Sequence, residues 1–76
     1  MGQEFKSKFY REVKIGERTF YLFKEMESFS KGKWSLSYIR VTSDRKGKNF
    51  VVESGAGISQ ERMQKQIMDY LKRRYN

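Results

Sequence analysis

The sequence contains no cysteine and no histidine. Together these absences remove disulfides, thiol nucleophiles, the commonest general base and the usual zinc ligands. No apolar run approaches the roughly 18 residues that a membrane span needs. The N-terminus lacks the apolar core of a signal peptide, so a cytoplasmic protein is expected. Acidic residues are few, 9 against 17 Lys and Arg, and they are scattered. Asp44, Glu53 and Asp69 form no recognisable acid/base pair, so the chain does not read as an enzyme. No cofactor or metal is called for. Gly55-Ala56-Gly57 precedes a helix, and helix N-termini attract anions, but the lysine and spacing of a P-loop are missing. A plain strand-to-helix connector is the simpler reading.

What remains is small, basic and aromatic. Its 76 residues support a single domain, 1–76. A domain of this size buries only about 60% of its unfolded surface, so its core is thin. Without disulfides or a metal, association with a second copy is the remaining common way to stabilise it. The formal net charge of +8 makes a field that steers anionic partners. Aromatic residues make up 16% of the chain. A basic surface serving only solubility does not need them, and a disordered tail would lack them.

The elements follow from periodicity and turn chemistry. Met1 to Glu4 reads as a frayed lead-in. Residues 5–15 alternate with period 2, placing Phe5, Ser7, Phe9, Arg11, Val13 and Ile15 on one face of a strand. Gly16-Glu17 turns the chain, and Arg18 opens a second strand rich in rings on both faces. Its end, residues 25–30, is too polar for a core element and reads as a bulge or extended loop. Lys31-Gly32-Lys33 makes a basic turn into a third strand, residues 34–41. There Trp34, Leu36 and Tyr38 share one face, while Ser35, Ser37, Ile39 and Val41 share the other. Residues 42–49 form a second basic turn built on Asp44 and Gly47. Residues 50–53 are a short fourth strand, and Ser59 N-caps a helix running to about Tyr75. Met63, Ile67 and Leu71 lay one apolar stripe along that helix.

Four strands and then one amphipathic helix give an α+β chain of order β-β-β-β-α. The expected architecture is an antiparallel four-stranded meander with the C-terminal helix on one face. The stripe should cover Phe5, Phe9, Val13, Phe20 and Leu22. Lys6, Lys8, Tyr10, Lys14, Tyr21 and Phe23 should line the opposite, open face.

Glu17-Arg18-Thr19-Phe20-Tyr21-Leu22-Phe23-Lys24-Glu25, then Lys31-Gly32-Lys33-Trp34-Ser35-Leu36, then a turn, a short strand and a helix, resembles the PUR repeat. That repeat is the single-stranded DNA- and RNA-binding module of Pur-alpha-type proteins, which has bacterial single-repeat members. The resemblance spans roughly residues 7–75. Its most specific part is Lys31-Gly32-Lys33-Trp34, where the family has Lys-Gly-Arg and then an aromatic residue. Ser7-Lys8 and Arg18-Thr19-Phe20-Tyr21 match next best. The resemblance implies a repeat whose sheet and loops bind single strands, and a homodimer joined through helix and strand ends. Lys33 departs from the pattern: it keeps the charge but loses arginine's planar fork.

The expected mechanism is electrostatic capture followed by stacking. Lys8, Lys14, Arg18, Lys31, Lys33, Lys46 and Lys48 would track phosphates, and Tyr10, Tyr21, Phe23 and Trp34 would take unstacked bases. A duplex hides those base faces, so single strands should be preferred. The competing class is a small basic protein-interaction module or inhibitor that grips an acidic protein partner. A membrane-surface role fits poorly, because the helix stripe is narrow and is needed for the core.

Overall fold

The computed structural model describes residues 3–76. Met1 and Gly2, half of the expected lead-in, lie outside the described residues. Glu4 does not fray: it opens the first strand. The elements are β1 (Glu4–Ile15), β2 (Arg18–Ser30), β3 (Lys33–Thr42), β4 (Phe50–Glu53) and α1 (Gln60–Tyr75). All neighbouring strands pair antiparallel in the order β1-β2-β3-β4, and α1 lies against one face. This is the β-β-β-β-α meander that the periodicity predicts.

The core forms where the helix stripe meets the sheet. Met63, Ile67 and Leu71 are buried against Val13, Ile15, Phe20, Leu22, Ile39 and Val41. The Ser59 hydroxyl accepts the Arg62 N–H at 3.3 Å and starts the helix. Glu61 in the first turn and Lys72, Arg73 and Arg74 in the last suit the helix dipole. At its far end the Tyr75 ring packs 4.9 Å from Phe20.

Two β-bulges overturn part of the expected facing. In β1, Phe9 pairs with Phe23 but Arg11 pairs with Leu22, so Tyr10 is an extra residue without a partner. One extra residue shifts the alternation by one, which moves every side chain beyond it to the other face. Val13 and Ile15 therefore join the core, whereas Phe5 and Phe9 do not. Phe5 is 70% exposed. In β3, Glu25 pairs with Tyr38 and Met26 with Leu36, so Ser37 is the extra residue. Trp34 and Leu36 consequently share a face with Ile39 and Val41, and Tyr38 turns to the opposite side.

Residues 25–30 continue β2 as a strand and not as an extended loop, and the bulge that was the other expected form lies between Glu27 and Ser30. The reason is length. A 16-residue helix spans about 24 Å, whereas the 13 residues of β2 reach about 43 Å. The long axis of the molecule is 44 Å. Helix α1 covers the sheet only from the Phe20 end to Tyr10, whose hydroxyl accepts from Gln60 Nε2 at 3.2 Å. Beyond that point residues 4–9, 24–30 and 33–38 project as a three-stranded arm without helix cover. Polar residues fit there because neither face must join a core.

Candidate nucleic-acid interface

Residues paired directly across an antiparallel sheet share a face, and so do alternate residues along a regular strand. In β2 the buried Phe20 and Leu22 are followed on the helix side by Lys24 and Met26. Lys8 and Ile39 stand opposite Lys24; Lys6 and Leu36 stand opposite Met26. The helix side of the arm thus gathers Lys6, Lys8, Lys24 and Trp34, two residues before Leu36. The Lys6 ammonium lies 4.2 Å from the Trp34 ring centroid, and that of Lys24 lies 4.6 Å from the Tyr10 centroid. These are cation–π distances, so the rings orient the ammonium groups without neutralising them. Three ion pairs form among the described residues, and none involves Lys6, Lys8 or Lys24. Glu4, opposite Ser28 at the outer end, is the one carboxylate on the strands of this face.

The opposite face carries the acids. Glu12 pairs with Tyr21, Glu25 with Ser7 and Tyr38, Glu27 with Phe5 and Ser35, and Glu53 with Arg40. Its arginines are spent on neighbours. Arg40 bonds Glu25 through Nε at 2.9 Å, the Gly47 carbonyl through Nη1 at 2.8 Å and the Ser7 hydroxyl through Nη2 at 3.3 Å. Ser7 in turn donates to Glu25. Arg45 lies 3.8 Å from Glu12 and 4.9 Å over the Phe9 ring. The Tyr38 phenol is pushed above its ordinary value by burial, then by the negative charges of Glu25 and Glu53, with Arg40 opposing.

The β3–β4 loop closes over this face. The Asp44 carboxylate accepts the backbone N–H groups of Asn49 at 2.6 Å and Lys48 at 3.0 Å. Those bonds, Asn49's first, hold it below the usual carboxylate range. Gly47 adopts a φ of 81°, and a Cβ there would stand 3.2 Å from the Phe23 ring. Only glycine lets the loop approach so closely. Phe23 is further packed edge-to-face on Phe9 at 5.7 Å and lies under the Arg40 guanidinium at 5.0 Å.

The residues expected to bind nucleic acid therefore divide. Lys8, Tyr10, Lys31, Lys33 and Trp34 lie along the helix side of the arm or at its tip, where Gly32 turns the hairpin. Lys14 and Tyr21 lie on the opposite face, and Lys46 and Lys48 in the loop that closes over it. Arg18 stands at the far end of the sheet, 5.2 Å over the Tyr75 ring. Phe23, expected to offer an open ring, is 7% exposed and cannot stack on a base. Lys6, Lys8 and Tyr10 do not share an open face with Lys14, Tyr21 and Phe23, because the Tyr10 bulge separates the two sets. Lys24 was missed, although its alternation with Leu22 puts it on the helix side. Phe29 was missed too, because nothing in its local pattern marks it.

No family model matches the chain, and neither a curated protein nor a solved structure does. No helix among the described residues is long and apolar enough to cross a membrane.

Proposed function

We propose that the chain binds single-stranded DNA or RNA along the helix side of its arm. The observation that carries this reading is the segregation of charge across the sheet. Lys6, Lys8 and Lys24 stand together without acidic partners beside Tyr10 and Trp34, while Glu12, Glu25, Glu27 and Glu53 lie on the other face. Within the arm, which the helix leaves uncovered, folding alone does not require Lys6, Lys8 and Lys24 on one face and Glu25 and Glu27 on the other. Lysines two residues apart on a strand stand about 7 Å apart and present a row of ammonium groups to a phosphate chain. Lys31 and Lys33 extend that row to the hairpin tip. Capture is electrostatic, and half-buried Trp34 then offers a surface for unstacked bases. The likeness of Lys31-Gly32-Lys33-Trp34 to the PUR repeat supports the same reading.

Titration of labelled single-stranded DNA, single-stranded RNA and duplex tests it. With about four to six phosphates neutralised, log K for a single strand falls with log salt at a slope of roughly −3 to −4. Equal affinity for duplex marks a non-specific polycation. Absence of single-strand binding at low salt rejects the reading and favours an acidic protein partner.

The functional unit in this proposal is a homodimer. Phe5 and Phe50 are more than half exposed, and β1 and β4 are edge strands with unpaired backbone groups. A two-fold contact that covers these surfaces would set two arms side by side and lengthen the basic track. Light scattering at micromolar concentration is expected to give twice the 9.2 kDa chain mass. A monomer that stays folded on dilution excludes the dimer.

A further inference from the structure

A third irregularity in the sheet builds a cleft at the hairpin tip. Glu27 pairs with Ser35 and Ser30 with Lys33, so Ser28 and Phe29 together stand opposite Trp34 alone. Ser28 is buried, and its hydroxyl donates to the Ser30 carbonyl at 2.6 Å, which pins the extra residue in place. The bulge brings Phe29 beside Trp34 and leaves it 69% exposed. A cleft of about 200 Å³ opens here, lined by Phe29, Ser30, Lys33, Trp34 and Ser35.

We propose that this cleft is a clamp for one nucleobase, gripped by the Phe29 and Trp34 rings, with the Ser30 hydroxyl at the base edge. The proposal rests on the single-strand reading and names the subsite that gives it base preference. The volume lies below the ~300–1,000 Å³ of sites that enclose a drug-sized ligand, so the occupant is one ring system. Two aromatic walls favour a planar π-face over an aliphatic chain. The Ser30 hydroxyl has bonding capacity to spare, since its Oγ makes no hydrogen bond among the described residues. Lys33 stands at the rim, where the phosphate of a clamped nucleotide would lie. Lys6, whose ammonium lies 4.2 Å from the Trp34 ring centroid, is not among the residues that line the cleft.

Trp34 is the only tryptophan, so the indole fluorescence reports on the surroundings of this one side chain. The full chain is titrated with eight-nucleotide single strands of one base each and with an abasic strand of the same length. Base-bearing strands are expected to quench Trp34, to differ from one another in affinity, and to bind more tightly than the abasic strand. Phe29→Ala should weaken binding roughly 10-fold, flatten the base preference and leave the salt slope unchanged. Phe29→Tyr should restore the unaltered affinity. Circular dichroism checks the fold of each variant. If Phe29→Ala misfolds, Phe29→Leu, which keeps apolar bulk without a π-face, takes its place: weaker binding and a flattened base preference in a folded Phe29→Leu support the clamp, and unchanged binding overturns it. If the unaltered chain binds single strands while a folded Phe29→Ala binds and quenches equally, the clamp is overturned and the single-strand reading stands. If the unaltered chain binds no single strand, both fall.

Discussion

Replacing Lys6, Lys8 and Lys24 together by alanine is expected to lower affinity for a single strand on the order of 100- to 1,000-fold at low salt. The figure follows from removing three phosphate contacts, each worth about 0.9–1.4 kcal/mol after partial compensation. The salt slope should flatten by about 2 units, near 0.7 for each lost phosphate contact. The sheet should survive, because Lys6 and Lys8 are exposed and Lys24 packs only at the edge of the helix-covered region. Lys46→Ala with Lys48→Ala is the matched control. It removes two charges from the loop over the acidic face and should change affinity several-fold at most. Filter binding across a salt series checks both. Equal losses from the two sets would mean that net charge, and not the lysine row, governs binding.

Phe23→Ala is expected to act on stability and not on contact with nucleic acid. Its ring is enclosed by Phe9, Arg40 and the Gly47 loop, and truncating a buried phenylalanine costs about 3–5 kcal/mol. A 76-residue domain has on the order of 4–11 kcal/mol in total, so much of the margin disappears. Urea denaturation should show a large fall in midpoint, and the folded fraction should bind single strands with unchanged affinity. A variant that keeps its midpoint but loses binding would instead place the Phe23 ring against a base.

The contrast between these two substitutions shows what the sequence could convey. Strand and helix existence was legible, because period-2 alternation in residues 5–15 and the Met63, Ile67, Leu71 stripe are local signals. The helix cap at Ser59 and the basic hairpin turn were legible for the same reason. Facing was not, because it depends on where an extra residue enters. Tyr10 and Ser37 are ordinary strand residues, and only pairing with a neighbour reveals that they have no partner. Each bulge transfers a whole segment to the other face, so the greasy set Phe5 and Phe9 left the core and Tyr38 left the side of Trp34. Phe23 was misassigned for a different reason. Its cover comes from Gly47 and Arg40, 24 and 17 residues away in the chain, and no short pattern announces such a contact. The polar end of β2 suggests a bulge or an extended loop; the bulge is present between Glu27 and Ser30, and the strand continues through it because an arm longer than its helix need not feed a core.

The central claim is that a single strand lies on the helix side of the arm. Amide chemical-shift mapping with isotope-labelled protein and a short single-stranded oligonucleotide tests it most directly. The account predicts the largest shifts at Lys6, Lys8, Lys24, Lys33 and Trp34, with Glu12, Tyr21, Glu27 and Glu53 little changed. Shifts concentrated on Tyr21, Tyr38 and the loop at Lys46 and Lys48, with the lysine row unmoved, would contradict it.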